Sequence, residues 1–282
     1  MLTWLRRGCA LSLLPGGVPQ HVAFVMDGNR RFATKQHIDK AAGHSQGYSK
    51  MIDVIHWCLE LGVGWISVYA FSIDNFKRSV DEVQALMTLA EQKFLELTRE
   101  DGLAEREGVE IRILGDLQLA PPGVQGAAAR LMAATAALPR KRAVLNICFS
   151  YTAGEEWVGA LASVQAGQQS GLLQPQDVTQ GLMLRCLRTE ACPPVDLLIR
   201  TSGETRLSDF LLWQCAHAQL AFVETLWPDF SFLDFARWAA QNCIHSAGSR
   251  FQAQGRQPWS AAGLEWKASD GLPGLHPQCR QL

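Results

Sequence analysis

Short apolar, β-branched runs alternate along this chain with amphipathic stretches, and that alternation limits what it can fold into more than any other feature. Strand-like runs fall at residues 21–26, 65–71, 109–114, 143–149 and 195–199. Between them, a polar turn leads to a helix at 43–61 that carries Met51, Val54, Ile55, Cys58 and Leu59 on one face. Ser79 and Glu82 have capping-box spacing and open a second helix, whose Val83, Leu86, Leu89, Ala90, Phe94 and Leu97 recur at helical period. Further helices are expected at 124–138, 155–167 and 176–189. Strands separated by helices imply right-handed crossovers and a mainly parallel sheet with both faces covered. The expected fold is α/β: a single domain with a mainly parallel central sheet flanked by helices.

A chain of 282 residues buries enough surface to need no disulfide or metal staple. Its 26 basic and 27 acidic residues give a net charge of -1, which removes the broad positive footprint of a general nucleic-acid binder. Any anionic ligand must therefore be held by a local cluster. The eight cysteines form no C-x-x-C pair, and Cys58, Cys148 and Cys215 lie inside apolar runs, as structural thiols of a reduced compartment would. No apolar stretch is long enough to span a bilayer. Residues 1–18 read as a leader or surface helix. From 246 to 282 the chain becomes rich in Gly, Gln, Pro and Ser without periodicity, which reads as a loosely ordered tail behind a domain at 19–245.

In parallel sheets ligands bind beyond the carboxyl ends of the strands, and three strand ends here concentrate unusual polar residues. The first is Asp27-Gly28-Asn29-Arg30-Arg31, either a phosphate cradle built from backbone N–H groups and two guanidinium forks or an Asp-Gly turn with solvated arginines. As a cradle it would place Asp27 beside phosphate, which suggests an intervening Mg²⁺. The second runs from Ser72 through Asn75 to Arg78. The third holds Arg200, Arg206 and Ser208, either a second phosphate grip or surface arginines at a strand terminus. His44, after Gly43, is either a phosphate donor or proton shuttle, or a helix cap. Glu82 reads as the capping partner of Ser79, and the stripe from Leu86 to Leu97 as core or as a ligand tunnel. The dinucleotide, P-loop and nucleophile-elbow motifs are absent.

Taken in order, HVAFVMDGNRRFA, AAGHSQG, VYAFSIDNFKRS with DEVQALM, and VDLLIRTSGETRLSDFLLWQ with LWPDF resemble the cis-prenyltransferase family, which includes undecaprenyl and dehydrodolichyl diphosphate synthases. The wording of GNRRF and FSIDNFKRS is nearer the eukaryotic dehydrodolichyl branch. The resemblance implies Mg²⁺-dependent condensation of isopentenyl diphosphate onto an allylic diphosphate such as farnesyl diphosphate, giving long polyprenyl diphosphate for dolichol synthesis and protein glycosylation. By resemblance Asp27 would hold Mg²⁺ and assist ionisation. Gly28, Asn29, Arg30 and Arg31 would cradle the allylic diphosphate. Asn75 and His44 match catalytic positions, Arg78, Arg200, Arg206 and Ser208 match the isopentenyl diphosphate seat, and Ser72 belongs with the substrate-binding set. Ala70, Phe71 and the Leu86–Leu97 stripe become a candidate tunnel wall.

Three departures stand against that pattern. Lys40 replaces an arginine three residues before the Gly-His pair, keeping charge but losing the bidentate fork. Gln219 stands where bacterial homodimers carry a second metal-linked glutamate. The arginines after residue 230 read RWA, RFQ, RQP and RQL, so none supplies the terminal R-x-G of homodimeric members. Catalytic subunits of heteromeric eukaryotic enzymes share that lack and obtain R-x-G from a partner related to the Nogo-B receptor. The resemblance therefore implies such a catalytic subunit, peripheral to the cytoplasmic face of the endoplasmic reticulum membrane. Alternatives are a non-catalytic interaction subunit of the same fold and a homomeric synthase.

Overall fold

The computed structural model of the chain describes residues 18–99 and 102–252. In chain order, β1 (His21–Val25) leads into α1 (Asn29–Gln36) and α2 (Lys40–Leu61), and β2 (Trp65–Ser72) is followed by a 3-10 turn at Ile73–Lys77 and by α3 (Val80–Leu97). A short α4 (Leu103–Glu107) precedes β3 (Val109–Leu114), α5 (Pro122–Ala136) and β4 (Ala143–Tyr151). Then come α6 (Ala153–Gln169), α7 (Gln180–Cys186), β5 (Leu197–Arg200), β6 (Gln219–Phe222) and α8 (Phe232–Gln252).

The six strands form one sheet in the order β3-β4-β2-β1-β5-β6, and every pairing is parallel. Central strands of such a sheet must be apolar on both faces, and β1 and β4 are buried at every position. On one face Phe24, Ile66, Leu145 and Ile199 join Ile55, Phe94, Leu131 and Phe235 in the main core. On the other, Ala23, Cys148 and Leu198 lie with Phe210, Leu211 and Cys215. Cys58, Cys148 and Cys215 are buried as expected, and burial raises the Cys215 thiol to about 12. The register sets Val25 beside Tyr69 on one side and Arg200 on the other. The ends of β2, β1 and β5 are thus adjacent, which brings the three polar strand ends to one edge.

Several local expectations change. The polar turn after β1 contains α1, which buries only Phe32 and Ala33 and so carries almost no periodic signal. β6 has only four residues, too few for a visible pattern. The helix expected at 176–189 is a 3-10 turn at Pro175–Asp177 followed by α7, which Thr179 caps by accepting the Leu182 N–H. Ser79 makes no side-chain cap bond; the capping box forms instead at Ser72 and Asn75. α2 begins at Lys40 with Asp39 as its cap, so His44 lies in the second turn and caps nothing. α8 continues through the compositional change at 246 as far as Gln252. The leader expected at 1–18, apart from Val18, and the tail from residue 253 onward lie outside the described residues. No helix among those described is long and apolar enough to cross a membrane.

Candidate active site

Beyond Val25 the chain leaves the sheet and turns at Gly28, whose φ of 107° disfavours any side chain. Space is also tight: a Cβ there would lie 3.0 Å from Leu226 Cδ2 and 3.1 Å from Ser202 Cβ, so its neighbours would have to shift. Gly28 precedes α1, so the first N–H groups of that helix face outward without intrahelical partners. Asp27 stands beside them. Its Oδ1 accepts the Gly28 N–H at 2.7 Å and its Oδ2 accepts Arg200 Nη2 at 2.8 Å, while a third of the side chain remains open to solvent.

Arg200 is only 3% exposed and organises the loop after β5. Its Nη1 donates to Ser208 Oγ at 2.7 Å and to the Arg206 carbonyl. That loop contains left-handed backbone at Ser202, Ser208, Asp209 and Leu211, each costing about 1–2 kcal/mol for a residue with a Cβ. Such strain persists only where surrounding bonds impose it, and Arg200 supplies several. Ser202 in turn receives Arg31, whose Nη1 donates to its carbonyl at 3.0 Å and whose Nη2 donates to its hydroxyl. Arg206 is mostly exposed and pairs with Glu204, which also approaches Arg31 at 3.4 Å.

A second cluster forms around Glu82. Arg78 Nη1 lies 3.0 Å from Oε1, Arg30 Nη1 3.8 Å from Oε1, and Lys40 Nζ 3.4 Å from Oε2. Burial pushes the Glu82 carboxyl up, but Arg78, Arg30 and Lys40 outweigh it and hold the group below its usual range. The capping role expected for Glu82 therefore gives way to ion pairs with three cations, one local (Arg78, four residues before it) and two distant in sequence (Arg30 and Lys40). His44 lies among the same charges. Burial, then Arg78, Arg30 and Lys40, hold its pKa below the ordinary histidine value against the pull of Glu82, so the ring is neutral near pH 7. Its Nε2 and the Asn29 Oδ1 are buried without a hydrogen-bond partner. Asn75 Oδ1 accepts the Ser72 N–H at 3.1 Å, which fixes both residues on the turn between β2 and α3.

Glu82 occupies the cations that an anionic ligand would need. Glu82→Gln should bind inorganic pyrophosphate about three- to fivefold more tightly by calorimetry, the worth of a partly exposed ion pair. Weaker binding would show that Glu82 holds those cations in place rather than competing for them.

Behind the polar rim an apolar cavity of about 130 Å³ runs between α2, α3 and the sheet. Leu86, Leu89, Phe94 and Leu97 of α3 line it with Ala70 and Phe71 of β2, and Asn29 and His44 also reach it. The α3 stripe thus serves as core and as cavity wall together. Asp27, Gly28, Arg31, Arg200, Arg206 and Ser208 come together in one cluster and Arg30, Lys40, His44 and Arg78 in the next, with Arg78 close enough to feel Asp27. Gln219 sits apart, at the amino end of β6 opposite Leu197. Sequence reasoning missed the partners of Glu82 and the roles of Thr201 and Ser202; their one visible signal is a place directly after a strand end. Among the described residues no group of three or more His, Cys, Asp or Glu could hold a metal, so a cation here would rest on Asp27 and on the ligand's own oxygens.

A family model described as "Putative undecaprenyl diphosphate synthase" matches residues 25–243. The human dehydrodolichyl diphosphate synthase complex subunit is 45% identical over 239 residues, covering 82% of this chain and 71% of that protein. A dehydrodolichyl diphosphate synthase complex subunit of Schizosaccharomyces pombe is 40% identical over 221 residues, covering 78% and 83%. The crystal structure of lavandulyl diphosphate synthase from Lavandula x intermedia, in complex with dimethylallyl diphosphate, superposes with a TM-score of 0.75 at 29% identity, covering 80% of this chain and 95% of that one.

Proposed function

Because the chain belongs to the undecaprenyl diphosphate synthase family of cis-prenyltransferases, we propose that it condenses isopentenyl diphosphate onto an allylic diphosphate such as farnesyl diphosphate, as the Mg²⁺-dependent catalytic subunit of a heteromeric dehydrodolichyl diphosphate synthase. The long polyprenyl product would serve dolichol synthesis at the cytoplasmic face of the endoplasmic reticulum membrane. The observation that supports this reading is the gathering of arginines around Asp27 and Glu82 at the carboxyl ends of β1, β2 and β5, beside an apolar cavity that Asn29 and His44 help to line.

Gly28, Asn29, Arg30 and Arg31 receive the allylic diphosphate, and Arg78, Arg200, Arg206 and Ser208 the isopentenyl diphosphate. Departure of the allylic diphosphate builds negative charge on its oxygens. Outward N–H groups and guanidinium forks already in place stabilise that charge without reorganising at the moment of reaction. Asp27 fits a Mg²⁺ that arrives with the diphosphate, since this ion is commonly held by one carboxylate, phosphate oxygens and waters. Bound there, the ion would neutralise charge on the leaving group. His44 lines the cavity with a neutral ring whose Nε2 is buried without a hydrogen-bond partner. The cavity is close in size to the ~150 Å³ that admits one benzene, so its walls must part as the prenyl chain lengthens. The arginines after residue 230 read RWA, RFQ, RQP and RQL, and in this reading a partner related to the Nogo-B receptor supplies R-x-G.

The test measures incorporation of labelled isopentenyl diphosphate with Mg²⁺ and farnesyl diphosphate, using the full chain alone and with that partner. Turnover with the partner only is expected. Full activity alone would overturn the heteromer, and none in either state would overturn the catalytic reading.

A further inference from the structure

Thr201 is fully buried immediately after β5, and its hydroxyl holds both backbone polar groups of Asp27. Its Oγ1 lies 2.8 Å from the Asp27 carbonyl, to which it donates, and 3.1 Å from the Asp27 nitrogen, from which it accepts. A hydroxyl has one proton to give and lone pairs to spare, so both bonds form at once. The clamp sits where the sheet stops guiding the chain. The β1 and β5 ladder ends at Val25 and Arg200, the Thr201 N–H makes a last bond to the Val25 carbonyl at 3.3 Å, and the backbone turns left-handed at Gly28. Nothing in the ladder itself aims the Asp27 side chain. Threonine suits the task, because its branched Cβ restricts χ1 and keeps the hydroxyl aimed.

We propose that Thr201 is a positioning residue for the reaction, acting through Asp27 by fixing the backbone from which its carboxylate projects toward Arg200 and the allylic diphosphate seat. The inference rests on the role given to Asp27 above. Removing the hydroxyl leaves neither backbone group bare, since the Asp27 N–H also donates to Val25 O at 3.0 Å and the Asp27 carbonyl also accepts from the Trp227 N–H at 3.0 Å. Thr201→Val, nearly the same shape, should therefore fold.

The experiment compares Thr201→Val and Thr201→Ser in the full chain, with the partner subunit present if the wild type needs it, and Asp27→Ala alongside. Thr201→Val should lose about 10- to 100-fold in kcat, the scale of a small misplacement, with the KM for isopentenyl diphosphate held within about threefold. Thr201→Ser, which keeps the hydroxyl, should recover kcat to within about threefold of wild type. A role confined to packing would shift the melting temperature without this split or this rescue. The inference fails if Thr201→Val turns over at the wild-type rate while Asp27→Ala is inactive, or if Thr201→Ser is as slow as Thr201→Val. An active Asp27→Ala would instead overturn the underlying assignment. Should Thr201→Val not fold, Thr201→Ala, which also lacks the hydroxyl, takes its place under the same criteria.

Discussion

Asp27→Ala should abolish condensation, lowering kcat by at least about 10³-fold, or about 4 kcal/mol of transition-state stabilisation. In the proposed reading Asp27 is the carboxylate beside the allylic diphosphate, and its oxygens face Gly28 N–H on one side and Arg200 on the other. Removal also leaves Arg200, 3% exposed, without its anion. Breaking a fully buried pair costs about 3–5 kcal/mol, but the cost here is smaller because Asp27 is 33% exposed and Arg200 keeps its bonds to Ser208 and the Arg206 carbonyl. Asp27→Asn separates fold from chemistry. It keeps the shape but only one acceptor oxygen, which can serve Arg200 or the Gly28 N–H but not both, so it should fold with a melting temperature below wild type while remaining inactive. Single-turnover incorporation of labelled isopentenyl diphosphate, with circular dichroism on the same samples, decides the matter. A rate within about tenfold of wild type would exclude Asp27 from the chemistry.

Arg200→Ala should be as damaging, for a different reason. One guanidinium here orients Asp27, Ser208 and the Arg206 carbonyl, and charge-assisted hydrogen bonds contribute about 1.5–3 kcal/mol each. Its loss releases a loop in which Ser208, Asp209 and Leu211 are held left-handed. A fall of about 10³-fold in kcat/KM for isopentenyl diphosphate is expected, with the larger share in KM. Because Asp27 and Arg200 act as one unit, the double variant should be little worse than either single one. Additive losses would mean that the two residues serve separate steps.

How legible this was depends on the residue. β1 and β4, buried at every position, show in the sequence as largely apolar runs, β3 because buried Val109, Ile111 and Ile113 alternate with Glu110 and Arg112, and α3 because its stripe recurs at helical period. The clustering of Asp27, Arg200 and Ser208 follows from topology, since strand ends of a parallel sheet share an edge. Glu82 is different. Its spacing from Ser79 imitates a local cap; of its actual partners only Arg78 is local, while Arg30 and Lys40 come from 52 and 42 residues away, a distance no local pattern reports. α1 was hidden because a helix burying only Phe32 and Ala33 has no stripe. Thr201 and Ser202 sit in plain view beside Arg200, but a hydroxyl announces nothing until the backbone groups it holds are located.

The bond from Asp27 to Arg200 joins residues 173 positions apart. The arrangement of Asp27 against Arg200 exists only when β1 and β5 are paired, a contact between distant parts of the sequence. A diphosphate gripping both sides binds the native state alone, and at a hundred times its Kd such a ligand stabilises the fold by about 2.7 kcal/mol. Under the proposed reading, bound substrate would therefore protect the chain from proteolysis.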